Sequence, residues 1–93
     1  MGRDVVVLSA VRSAVGTFGG ALAGIEPSEL AGLVMREAVA RSAAEAGRIG
    51  YVTLGTCIPT DARYPYVARV ASIQAGLPMG SVAMQVNRLC SSG

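Results

Sequence analysis

Ser81-Val82-Ala83-Met84-Gln85-Val86-Asn87-Arg88-Leu89-Cys90-Ser91-Ser92-Gly93 is the stretch around which the other residues arrange themselves. Strand-forming residues from Ser81 to Val86 lead through a polar break to a cysteine, and then to small and hydroxylated residues. Such residues suit a tight strand-to-helix turn, where larger side chains crowd the backbone. A helix beginning at or near Cys90 would place the thiol at its positive end. A thiolate is stabilised there and its nucleophilicity at neutral pH is raised. The sequence stops three residues after Cys90, short of that helix.

Working back from this stretch, Gly76-Leu77-Pro78 is a glycine-then-proline stop, and it closes a helix expected over residues 66–75. Val67, Val70, Ala71 and Gln74 lie on neighbouring turns of that helix. The loop 59–65 is rich in turn formers, and the apolar run 49–58 reads as a buried strand. Further back, Glu26-Pro27-Ser28-Glu29-Leu30 is a helix start, with proline in the first turn, Ser28 able to cap, and acidic residues near the positive end. Leu30, Leu33, Val34, Ala38 and Arg41 give that helix one stripe, with Arg36, Glu37 and Glu45 largely away from it. Glu29, Glu37 and Glu45 read as its solvated face, and Gly47 as its end.

Asp4-Val5-Val6-Val7-Leu8-Ser9-Ala10 opens the chain. It is a continuous run without alternation, as in a parallel strand buried on both faces. Gly16, Gly19 and Gly20 follow in a loop that lacks the Gly-x-Gly-x-x-Gly order of a dinucleotide site, so a structural role is expected for them. The order is therefore strand, helix, strand, helix, strand, in units the size of a βαβ crossover. The fold class this implies is α/β, with a parallel sheet and helices on its faces.

Composition narrows the function. Of the 93 residues 52% are hydrophobic and 15% charged, an apolar excess that points to a piece of a larger α/β protein. No apolar run approaches the roughly 20 residues that span a bilayer. The basic residues are scattered arginines, the net charge is only +2, and three Tyr and one Phe offer no stacking platform, so nucleic acid is not an expected partner. Two cysteines without histidine do not build a standard zinc site. The opening residues show no signal-peptide pattern, which favours a reducing, cytoplasmic setting and free thiols.

Cys57, inside the apolar run 49–58, reads as a small core residue. Cys90 stands apart, because the carboxyl end of a strand is where open α/β sheets place reactive groups. Asn87 is suited to holding the turn through bonds to the backbone, and Arg88 to a surface or interface ion pair.

The opening Asp4–Gly20 stretch, the helix start Pro27-Ser28-Glu29-Leu30 and the terminal Asn87-Arg88-Leu89-Cys90-Ser91-Ser92-Gly93 together resemble the thiolases, in register over essentially the whole chain. Tyr64 departs from the Asn that opens a common Asn-Pro-x-Arg stretch of that family. The resemblance implies an incomplete N-terminal segment, residues 1–93, of the N-terminal domain of an αβαβα layered fold. It implies Cys90 as the nucleophile of an acyl-CoA C-acyltransferase of fatty acid metabolism, with coenzyme A and acyl-CoA as substrates and no resident cofactor. Ping-pong chemistry follows: Cys90 accepts an acyl group and passes it to CoA, or to the enolate of a second acetyl-CoA. Family members are usually homodimers or homotetramers. Their catalytic histidines, second cysteine and most of their CoA contacts lie downstream of the nucleophile, so the segment alone is expected to be inactive. Two alternatives are a ketoacyl-synthase-like condensing enzyme of the same superfamily and a non-catalytic structural fragment.

Overall fold

The computed structural model describes residues 2–60, 62 and 64–93. Its centre is a parallel pair of strands, β1 (Tyr51–Gly55) and β2 (Val82–Val86), in the register Tyr51↔Val82 to Gly55↔Val86. Single bonds extend the ladder at both ends, from the Val82 N–H to the Gly50 carbonyl and from the Thr56 N–H to the Val86 carbonyl, each 2.9 Å. Parallel neighbours need a crossover, and here α2 (Val67–Gln74), entered through a 3-10 turn at Tyr64–Tyr66, supplies it.

The helix α2 is the most buried element, with Val67, Ala68, Ala71 and Ser72 all inaccessible. It ends as the sequence indicates: Gly76 takes a left-handed φ of 81°, and the Leu77 N–H reaches back to the Ser72 carbonyl at 3.0 Å. This is the glycine-terminated closure that satisfies carbonyls at a helix end. Side chains fix the helix to the strands. Gln85 of β2 accepts the Ala68 N–H and donates to the Tyr64 carbonyl, so one of the free donors at the start of α2 is satisfied. Arg69 donates to the carbonyls of Ser81 and Met79, holding the approach to β2.

The helix α1 (Pro27–Ser42) packs across α2. Gly32 makes the crossing close, since a Cβ there would lie 3.3 Å from the Ala71 carbonyl oxygen. Val52, Ala75 and Leu77 form the small core, covered by Met35, Val39, Ala46 and Ile49. Glu29 and Glu37 are exposed on α1, as a solvated face requires, whereas Glu45, also exposed, lies beyond the helix end at Ser42.

Several local expectations are corrected. The strand expected over Asp4–Ala10 pairs with no strand among the described residues. Its apolar side chains are exposed, and Ser9 Oγ docks it on the Ala38 carbonyl of α1 at 2.7 Å. β-branched residues favour an extended backbone, but a strand also requires a neighbour offering a free ladder. Ser28 is not the cap of α1. Glu26 holds that position without a side-chain cap bond, while Ser28 lies one residue inside the helix, buried. The end of α1 comes before Gly47, at Ala43 with φ 60°, where Ser42 Oγ accepts the Ala44 N–H; a 3-10 turn then runs over Ala46–Arg48. Of the expected stripe, Leu33 is half exposed. In the loop 59–65, Asp61 and Arg63 lie outside the described residues. The glycine loop closes in a turn from the Gly20 N–H to the Thr17 carbonyl. Gly19 there has φ 69°, and a Cβ on Gly20 would sit 2.4 Å from Thr17 Oγ1.

Candidate active site

The carboxyl ends of β1 and β2 meet at the turn 87–92. After Val86 the chain leaves the ladder, and Leu89–Ser91 form one 3-10 turn with bonds from Ser91 N–H to the Arg88 carbonyl and from Ser92 N–H to the Leu89 carbonyl. Cys90 lies in the middle of this turn, exposed, and both Cys57 and Cys90 are free thiols. The helix expected at Cys90 is thus represented, among the described residues, by this single turn.

Leu89, directly before the cysteine, has φ 51°. A non-glycine residue in the left-handed region costs roughly 1–2 kcal/mol and persists only where surrounding bonds over-determine it. Those bonds are present. Asn87 Oδ1 accepts the Leu89 N–H at 2.9 Å, and Ser92 Oγ donates to the Leu89 carbonyl at 2.7 Å. Ser92 Oγ in turn accepts the Arg88 N–H at 2.9 Å. Asn87 therefore plays the turn-holding role its type suggested, and Ser92 joins it from the other side.

The turn is also fastened to the segment just after β1. Asn87 Nδ2 donates to the Cys57 carbonyl at 3.2 Å, and Cys57 Sγ lies 3.1 Å from the Leu89 carbonyl oxygen and 3.8 Å from Ser92 Oγ. Gly55 permits the approach: a Cβ there would come 2.9 Å from Ser92 Cβ and 3.1 Å from its carbonyl oxygen. The expectation for Cys57 is overturned by this geometry. β1 ends at Gly55, so Cys57 lies beyond the strand, exposed and against the cysteine turn rather than in the core. The apolar neighbours Leu54 and Ile58 pointed to burial, whereas the end of the β1–β2 register decides the position.

Arg88 is exposed at the same turn, and the ion pair found among the described residues is elsewhere, Arg41 with Glu37 at 2.6 Å. No group of three or more metal-ligating side chains occurs among the described residues. A groove of about 450 Å³ between α1 and β1 is lined by Leu30, Val34, Thr53, Tyr64 and Val67 among others, and no residue of the turn lines it. No helix among the described residues is long and apolar enough to cross a membrane. What the site offers chemically is an exposed thiol on a turn held from both sides, accessible to an electrophilic carbonyl.

The chain is an α/β unit: a crossover-linked parallel strand pair with an exposed cysteine on a braced strand-end turn. Residues 5–93 match the family model for the thiolase N-terminal domain, and the chain belongs to that family. It is 47% identical over 93 residues to the beta-ketothiolase BktB of Cupriavidus necator, covering all of this chain and 24% of that protein. Over 91 residues it is 43% identical to an acetyl-CoA acetyltransferase of Pseudomonas aeruginosa, covering 98% of this chain and 23% of that one. Among solved structures, the Acat5 thiolase of Ascaris suum in complex with coenzyme A superposes with a TM-score of 0.89 at 30% identity, over 97% of this chain and 23% of its own. The acetyl-CoA acetyltransferase of Bacillus anthracis gives 0.87 at 43% identity, over 95% and 22%. The chain thus spans about a quarter of the length of the relatives it matches, and its α/β architecture is that of the thiolase structures.

Proposed function

We propose that these residues are the N-terminal segment of the N-terminal domain of an acyl-CoA C-acyltransferase in which Cys90 is the nucleophile. The observation that carries this reading is the placement of Cys90: exposed, at the carboxyl end of a paired strand, directly after a left-handed residue whose N–H and carbonyl are both held by side chains. The names and bound coenzyme A of the relatives supply the substrate class.

In the proposed reaction the Cys90 thiolate attacks the thioester carbonyl of acetyl-CoA, or the keto carbonyl of a 3-ketoacyl-CoA. A tetrahedral oxyanion forms. Its collapse expels CoA thiolate from acetyl-CoA, or the acetyl-CoA enolate from the ketoacyl substrate, and leaves an acyl-Cys90 thioester. CoA thiolate or the enolate of a second acetyl-CoA then accepts the acyl group and frees Cys90. Thioester exchange suits a sulfur nucleophile because a thiolate both attacks and leaves well. The bonds of residues 87–92 hold the backbone that leads into Cys90, which lowers the entropic cost of attack. Proton transfers fall to groups outside residues 1–93, which contain no histidine. By the same reading residues 1–93 alone are inactive, and the whole protein is a homodimer or homotetramer of the cytoplasm that acts in fatty acid metabolism.

The test uses the full-length protein. Thiolysis of acetoacetyl-CoA is expected, and Cys90→Ser should lower kcat by about 10³-fold or more. Unchanged thiolysis in Cys90→Ser would refute the assignment.

A further inference from the structure

We propose that Cys57 is a positioning residue for Cys90, acting through the carbonyl of Leu89; this rests on the reading of Cys90 as nucleophile. The turn's other side-chain bonds are internal to it: Asn87 to Leu89, and Ser92 to Arg88 and Leu89. Local bonds fix the shape of a turn but not its direction relative to the sheet. Direction is set by what reaches it from the segment that follows β1, and Cys57 reaches it with two groups. Its carbonyl accepts from Asn87 Nδ2, and its thiol, 3.1 Å from the Leu89 carbonyl oxygen, donates to the residue whose left-handed φ turns the chain into Cys90.

The two groups do different things. The Cys57 carbonyl is present whatever the side chain, so it fastens the Asn87 end of the turn in any variant. The thiol acts on the next residue but one, at the peptide unit that links Leu89 to Cys90. Rotation of that peptide swings the Cys90 N–H and re-aims Sγ. The thiol donation opposes the rotation together with Ser92, whose Oγ and N–H donate to the same oxygen at 2.7 and 3.1 Å. Because Ser92 shares the task, loss of the thiol should loosen the Cys90 peptide without collapsing the turn. Gly55 completes the arrangement by letting Ser92 approach β1 closely enough for both donors to converge. Cys57 itself is neither acylated nor in contact with the reacting carbonyl in this scheme.

The experiment compares wild-type full-length protein with Cys57→Val, Cys57→Ala and Cys57→Ser. Two quantities are read at a temperature where circular dichroism shows every variant folded: kcat and KM for acetoacetyl-CoA thiolysis, and the rate at which iodoacetamide alkylates Cys90, followed by peptide mass spectrometry. Valine fills the site without a donor, alanine removes the thiol with the least steric demand, and serine restores a donor. Cys57→Val and Cys57→Ala are expected to lower kcat by about three- to tenfold, the range of one hydrogen bond, with KM within about twofold. Cys90 alkylation should change in the same two variants, and Cys57→Ser should return both quantities to within about twofold of wild type. The proposal is overturned if Cys57→Val and Cys57→Ala keep both quantities at the wild-type level, or if Cys57→Ser loses as much as they do. Absence of thiolysis in the wild type would refute the proposed function instead, and the alkylation rates would still decide whether Cys57 governs the Cys90 turn.

Discussion

Residues 2–25 and residues 51–92 handle the same requirement in opposite ways. In the β1–α2–β2 half, the inner face of α2 and the backbone polar groups around it find partners close by, although Tyr51, Met79, Val82 and Met84 stay exposed. Val67 is 2% exposed, Gln85 satisfies the start of α2, and the cysteine turn is bonded both within itself and to the segment just after β1. The N-terminal run has strand composition and no ladder; Val5 is 95% exposed, and Val6, Val7, Leu8 and Phe18 stand open beside it. The bonds that shape the turn at Cys90 come from within the β1–α2–β2 half, whereas the run 4–10 has no ladder among the described residues. A chain can carry a braced cysteine turn and still expose a row of apolar side chains.

The sharpest way to break that contrast is at Val6. If the run becomes a strand covered on both faces in the full-length protein, Val6→Asp buries an unpaired carboxylate and should destabilise by about 3 kcal/mol or more. Chemical denaturation reads this directly. A change under about 0.5 kcal/mol would mean that the run stays exposed and that the contrast belongs to the whole protein.

A smaller effect is expected where the two strand ends touch. Gly55→Val places a side chain where Ser92 lies 2.9 Å from the ideal Cβ, so the turn must move off β1. Overpacking of this kind costs about 1–3 kcal/mol, and kcat should fall more steeply than stability alone explains. Equal kcat in a folded Gly55→Val protein would show that the turn needs no support from β1. The smallest effect is reserved for the ion pair of Arg41 and Glu37, both side chains more than half exposed. Arg41→Ala should change stability by less than about 0.5 kcal/mol, read from the thermal transition of the full-length protein.

These differences follow what a sequence can express. Gly76-Leu77-Pro78 announces the end of α2 because its chemistry is contained in three residues, and β2 is legible from its own composition. Asn87 could be read as a turn holder because its bonds run to residues close in sequence and to the adjacent strand end. The first strand could not be read correctly, since composition sets an extended backbone but not a pairing partner. Ser28 has the chemistry of a cap, yet Glu26 occupies that position and Ser28 is buried against the interior. Cys57 was hidden for a related reason. Its apolar neighbours suggest a strand interior, while its real setting follows from the Gly55↔Val86 register, a long-range fact. Leu89 offers no signal at all for its left-handed φ, because the bonds that enforce it come from Asn87, Ser92 and Cys57.

In the proposed reaction the braced turn presents Cys90, and not the neighbouring Cys57, as the nucleophile. Brief incubation of the full-length protein with radiolabelled acetyl-CoA, acid quench and peptide mapping tests it in one step. Label is expected on the peptide containing Cys90 and absent from the peptide containing Cys57. Acetyl label on Cys57, or on neither cysteine in a protein that still performs thiolysis, would contradict it.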